Sequence, residues 1–146
     1  MTGVQTCALP ICERIRTEKA GGTQINVKWG QGGMTDVYFI TRYLQLSRHI
    51  DYPPDEGTAA LIRHLGKRGL LDDESVQALF DGYTFLRRLD HWMRLLLDRP
   101  TPVLPTSHVA LNDLARALGV ASLDEFEKEL AHHLAAIRAV YDQVFA

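Results

Sequence analysis

At 146 residues, with 46% apolar side chains and a formal net charge of −2, the chain is sized for one modest domain. A chain of this length buries roughly two-thirds of the surface its unfolded form exposes, enough for a stable core. Acids and bases are mixed along it without a basic block, which excludes the usual electrostatics of nucleic-acid binding, and no stretch approaches the ~20 uninterrupted apolar residues of a membrane span. A soluble, cytoplasmic protein is expected.

Residues 1–12 stand apart. Met1 to Cys12 carries no charge, whereas Glu13 to Lys19 carries five charged residues. The opening lacks the basic leader, long apolar run and small-residue cleavage site of a signal peptide. It resembles the translation of sequencing-adaptor read-through, so residues 1–12 are expected to be a disordered artefact, with the gene extending upstream. Cys7 and Cys12, the only cysteines, form neither a zinc motif nor a disulfide framework. His49, His64, His91, His108, His132 and His133 show no ligand spacing, and no metal site is expected.

Glu13 to Ala20 favours helix and stops at Gly21-Gly22. Thr23 to Trp29 alternates, with Ile25, Val27 and Trp29 on one side, and predicts a short half-buried strand. An unpaired strand is unstable, so its partners are expected upstream. Gly30-Gln-Gly-Gly33 breaks it, and the period turns helical from Met34 to Ser47, with Val37, Ile40, Tyr43, Leu44 and Leu46 near one face. Asp51 to Gly57 is a turn-rich link; Thr58 caps a helix through Leu65 that Gly66 ends. Asp72 or Asp73 caps a long helix running to about Asp98 and stopped by Pro100. Its stripe is Val76, Leu79, Phe80, Tyr83, Leu86, Leu89, Met93, Leu96 and Leu97. Pro100, Pro102 and Pro105 make a stiff extended connector. A helix from His108 to Leu118 ends at Gly119, and Ser122 with Glu125 forms a capping box for the last one. That last helix buries Leu123, Phe126, Leu130, Leu134, Ile137, Val140, Tyr141 and Val144. The fold class is therefore mainly α, a bundle of about five helices preceded by one short strand.

The candidates for chemistry are few. Gly30-x-Gly32-Gly33 lies between strand and helix, where backbone N–H groups can meet a phosphate, but it matches neither the dinucleotide fingerprint nor the P-loop. On the residues alone it reads first as a turn. Arg87, Arg88, Asp90 and His91 form a polar group on the long helix; Asp90 and His91 are adjacent and cannot face each other, so interhelical hydrogen bonding is the favoured role. His132-His133 lacks the partners of a zincin motif, and Ser107 beside His108 reads as a cap.

Taken in series, three segments resemble one family. Asn26-Val-Lys28-Trp-Gly30-Gln-Gly32-Gly33-Met-Thr-Asp36 is similar to the Asn-x-Lys-x-Gly-x-Gly-Gly-x-x-Asp segment of glutamine synthetase adenylyltransferases, which uridylyltransferases of the PII signal protein share in similar form. Phe85-Leu-Arg-Arg-Leu-Asp-His91 resembles their Phe-Leu-Arg-Arg-x-Glu-His helix, and Asp98-Arg-Pro-Thr101-Pro-Val-Leu104-Pro105 the connector after it. Thr35, Tyr38 and Pro100 depart from the usual Arg, Glu and Gln. The resemblance implies a parent enzyme that attaches AMP from ATP to a tyrosine of glutamine synthetase and removes it by phosphorolysis, using magnesium held by a Gly-Ser…Asp-x-Asp motif. Neither half of that motif occurs in this sequence. Catalytic residues, bound ATP and bound magnesium are therefore not expected here. Residues 13–33 are expected to be the remnant of a nucleotidyltransferase domain and residues 34–146 its helical bundle. The implied partners are glutamine synthetase, the PII protein and the upstream catalytic domain, with neither nucleic acid nor membrane. Lys28, Gly30, Gly32, Gly33 and Asp36 are expected near the nucleotide site, with Lys28 facing a phosphate and Asp36 capping the next helix or orienting a neighbour. The alternative, a junction that merely joins two domains, stays open. A uridylyltransferase piece and a stand-alone helical interaction module are the competing readings.

Overall fold

The computed structural model describes residues 24–53, 55–98 and 101–146. The readings of residues 1–12, of the helix from Glu13 to Ala20 and of Pro100 lie outside the described residues. Among the described residues five helices follow in order: α1 (Met34–Ser47), α2 (Thr58–Lys67), α3 (Asp73–Leu96), α4 (His108–Ala117) and α5 (Leu123–Phe145). The fold class is the expected helical one.

Helix α3 is the hub, packing most extensively on α5 and also touching α1, α2 and α4. Leu79, Leu86, Leu89 and Met93 on α3 are fully buried, as are Val37 and Ile40 on α1, Leu61, Ile62 and Leu65 on α2, Leu114 on α4, and Phe126 and Ile137 on α5. Each such side chain is worth about 1.5–3 kcal/mol of transfer free energy. Because α3 has neighbours on several sides, its buried set is wider than one stripe and takes in Phe85 and Gly82. Two expected core positions face out instead: Leu46 is 72% exposed and Leu96 46% exposed.

Local chemistry sets most boundaries. Asp72 is the cap of α3, its carboxylate accepting the Ser75 N–H at 2.7 Å, and this hydrogen bond holds its pKa below the usual aspartate value. Ser122 caps α5 by accepting from the Glu125 N–H. Two expectations for α2 are corrected. Gly57, not Thr58, is its N-cap, and the helix runs through Gly66 to Lys67. The chain turns at Gly69, whose φ of +74° lets the Gly69 and Leu70 N–H groups close on the Gly66 and Leu65 carbonyls. Gly66 serves packing instead, since a β-carbon there would meet Val76 Cγ2 at 2.6 Å.

The expected strand is the main departure. Among the described residues its only pairing is an isolated antiparallel bridge between Asn26 and Val103. It is flanked by hydrogen bonds from Val27 N–H to the Pro102 carbonyl and from Leu104 N–H to the Ile25 carbonyl. The pairing partner thus comes from the proline-rich connector downstream. The alternation also fails, because Asn26 is buried while Ile25 is 43% exposed. Asn26 Oδ1 accepts the N–H groups of Lys28 and Trp29, which folds the backbone into a turn immediately after the bridge.

Candidate functional site: a basic, aromatic pocket between α1 and α3

The turn that follows Asn26 is compact. Gly30 N–H closes on the Asn26 carbonyl and Gly33 N–H on the Gly30 carbonyl. A β-carbon at Gly30 would lie 2.5 Å from the Asn26 oxygen, and one at Gly33 would lie 2.8 Å from the Val27 oxygen. These glycines are required by the tightness of the turn itself. Asp36, in the first turn of α1 and 1% exposed, reaches back so that its Oδ2 accepts the Gly32 N–H at 2.7 Å. Arg138 of α5 approaches the same oxygen at 3.5 Å. Gly32, Gly33 and Asp36 therefore tie the turn to α1 and α5.

The turn delivers Lys28 and Trp29 to the rim of a pocket of about 380 Å³. Met34, Thr35, Tyr38 and Phe39 of α1, Thr58 of α2, and Tyr83, Arg87, Asp90 and Arg94 of α3 complete its lining. The α3 residues fall at spacings of four, three and four, which places them on one face of the helix. Lys28, Arg87 and Arg94 set three cations against the single carboxylate of Asp90 among these residues. Asp90 is 6% exposed; its Oδ2 accepts from Arg94 Nε at 2.9 Å, and its Oδ1 has no hydrogen-bond partner among the described residues. Lys28 Nζ stands over the Trp29 ring, 5.2 Å from its centroid. Aromatic walls with a surplus of cations suit a ligand that carries both a flat apolar part and negative charge.

The structure thus divides the residues singled out from sequence. Lys28, Arg87 and Asp90 meet at the pocket, while Gly30, Gly32, Gly33 and Asp36 build the turn behind it. Arg88 points elsewhere, with Nη2 3.4 Å from the Leu118 carbonyl at the end of α4, and His91 is exposed beside Trp92. The four polar residues of α3 are therefore not one cluster. Arg94, Tyr83 and Tyr38 were missed from sequence; the signal for Arg94 was its place four residues after Asp90 and seven after Arg87. Among the described residues no group of three or more His, Cys, Asp or Glu side chains converges, and no helix is long and apolar enough to cross a membrane.

Residues 11–145 match a family model described as GlnD PII-uridylyltransferase. Among curated relatives, the bifunctional glutamine synthetase adenylyltransferase/adenylyl-removing enzyme of Aromatoleum aromaticum is 35% identical over 122 residues. That alignment covers 82% of this chain and 13% of the relative, so the chain spans a small part of that protein's length.

Proposed function

The chain belongs to the GlnD PII-uridylyltransferase family, and on that premise we propose that it is the helical domain of a larger cytoplasmic nucleotidyltransferase. The reaction is transfer of AMP from ATP to a tyrosine of glutamine synthetase, and its phosphorolytic removal. The observation that carries this reading is the 35% identity to an adenylyltransferase along 82% of the chain. Residues 13–33 are then the segment through which the catalytic domain hands over to the bundle, and the basic pocket holding Lys28 lies beside that handover. ATP is the substrate, and glutamine synthetase and the PII protein are the partners.

Asp90 is the one carboxylate that the described residues bring to the pocket, and its Oδ2 is already paired with Arg94. The contribution derived for this chain is electrostatic and positional. Cations on a rigid helix face, fixed before the ligand arrives, hold negative charge without reorganising at the moment of reaction. Aromatic side chains beside them exclude water and strengthen those interactions.

The test is to read the locus upstream of codon 13, express the whole reading frame and supply labelled ATP with glutamine synthetase. Label on a glutamine synthetase tyrosine is the expected result. The description of the matched family favours a second reading, uridylylation of the PII protein, and label from UTP on that protein would replace the first reading by it. A stop codon just upstream of Met1, with neither transfer, would leave a helical interaction module.

A further inference from the structure

We infer that the pocket between α1 and α3 is a polyphosphate site in which Arg94 is a principal anion-binding residue and Asp90 the residue that positions it. This deepens the nucleotide reading proposed above and rests on it for the identity of the ligand. Arg94 offers five N–H donors, and the Nε donor is spent on Asp90 Oδ2 at 2.9 Å. The Asp90 side chain is 8% exposed and anchored in the hub helix, whereas the Arg94 side chain is 55% exposed at the pocket mouth. A buried carboxylate gripping Nε leaves the Nη fork, the part that matches phosphate geometry, to the pocket.

Asp90 is also hard to explain as packing. A buried carboxylate whose Oδ1 lacks a hydrogen-bond partner among the described residues weakens a helical core, and an apolar residue there would strengthen it. Its position at the pocket wall, with Oδ2 on Arg94 Nε, fits a residue that acts through Arg94. Arg87 lies one turn before Asp90 on the same face, and Lys28 comes from the turn. The three cations can thus grip a chain of phosphates from two elements, while Trp29, Tyr38, Phe39 and Tyr83 supply flat surface.

The experiment uses the 146-residue chain with W92F, which leaves Trp29 at the pocket as its one tryptophan. Tripolyphosphate and ATP are titrated by calorimetry and by Trp29 emission, in the parent and in R94Q, R94K, D90N and the D90N/R94Q double variant. Both ligands are expected to bind and shift the emission, and added salt to weaken them. R94Q should lose about ten-fold in affinity, the size of one charge-assisted hydrogen-bond pair, with R94K recovering part of it. D90N should weaken binding when Arg94 is present, because Arg94 loses its anchor, whereas in R94Q only the removal of a negative charge remains and D90N should leave binding unchanged or tighter. Absence of binding at millimolar tripolyphosphate, heats without a change in Trp29 emission, an unaltered affinity in R94Q, or additive losses in the double variant would each overturn the inference. Circular dichroism checks that each variant keeps its helices; where R94Q does not, the R87Q variant and the salt dependence of the unsubstituted pocket decide in the same way. Failure of both AMP and UMP transfer by the whole reading frame would sink the enzyme assignment and leave this phosphate site standing or falling by its own titration.

Discussion

Gly32 and Leu134 approach so closely that a β-carbon on Gly32 would lie 2.0 Å from the Leu134 carbonyl oxygen. The turn before α1 is therefore seated directly on the backbone of α5, and because that neighbour is main chain it cannot swing away. Gly32 also has φ of +73°, a conformation side-chain-bearing residues resist. The two demands together predict that G32A destabilises the chain by about 3 kcal/mol or more. Urea unfolding followed by circular dichroism measures it, and a loss under about 1 kcal/mol would mean the turn is not packed in this way.

Asp36 makes the second link between the same elements. D36A leaves the buried Gly32 N–H without its acceptor, which costs about 2 kcal/mol. Arg138 is spared the full penalty because Asp142 also pairs with it, at 3.1 Å. D36N retains an acceptor oxygen for the Gly32 N–H and should lose less than D36A in the same urea experiment. Equal losses would show that the charge facing Arg138, and not the hydrogen bond to the turn, is what Asp36 provides.

These two residues mark where the sequence was and was not legible. Helices α1 and α3 to α5 were readable because their signals are local: a 3.6-residue stripe, an acidic or hydroxyl cap, a glycine stop. Leu46 and Leu96 follow that period and are nonetheless exposed, since which flank of a helix meets a neighbour is decided by packing between elements. Asn26 and Val103 pair across more than seventy residues, a relationship that alternation along one segment cannot carry. The Asn26 side chain then ends the extended run by capping the next turn, and its type was read only as the polar side of a strand. In the pocket, Lys28 and Asp90 could be picked out from a motif and a charge. Their common location could not, because it depends on how α1 lies over α3.

Helix α1 ends with a residue that sits badly there. His49 has φ of +51°, and the Ile50 N–H returns to the Gln45 carbonyl in the same closure that Gly69 makes after α2. A residue with a β-carbon in this conformation costs roughly 1 kcal/mol relative to glycine. H49G should therefore stabilise the protein by about 0.5–1 kcal/mol, after allowance for the freer unfolded chain. His49 is exposed and outside the pocket lining, so phosphate binding should be unaltered. A midpoint that falls in H49G would show that the imidazole holds α1 through a contact of its own.

His133 gives the fold a pH dependence whose sign can be worked out. Its ring lies 4.7 Å from the Phe85 ring, where α5 meets α3, and burial lowers its pKa below the ordinary 6.5. Glu129, 3.7 Å from Nε2, and Asp81 of α3 pull the other way, while neighbouring His132 adds to the depression. A histidine harder to protonate in the folded state binds fewer protons there than in the unfolded chain. Its contribution to stability is thus complete above pH 6.5 and declines as pH falls from there towards the lowered folded value. Asp72 acts only further down, since a carboxylate held below its usual 3.8 loses its advantage at more acidic pH. Urea midpoints of the unsubstituted chain should accordingly fall between pH 7 and pH 5, and H133Q, which keeps a polar side chain without the titration, should flatten that decline. A decline of equal slope in H133Q would assign the effect to another histidine and remove His133 as its source.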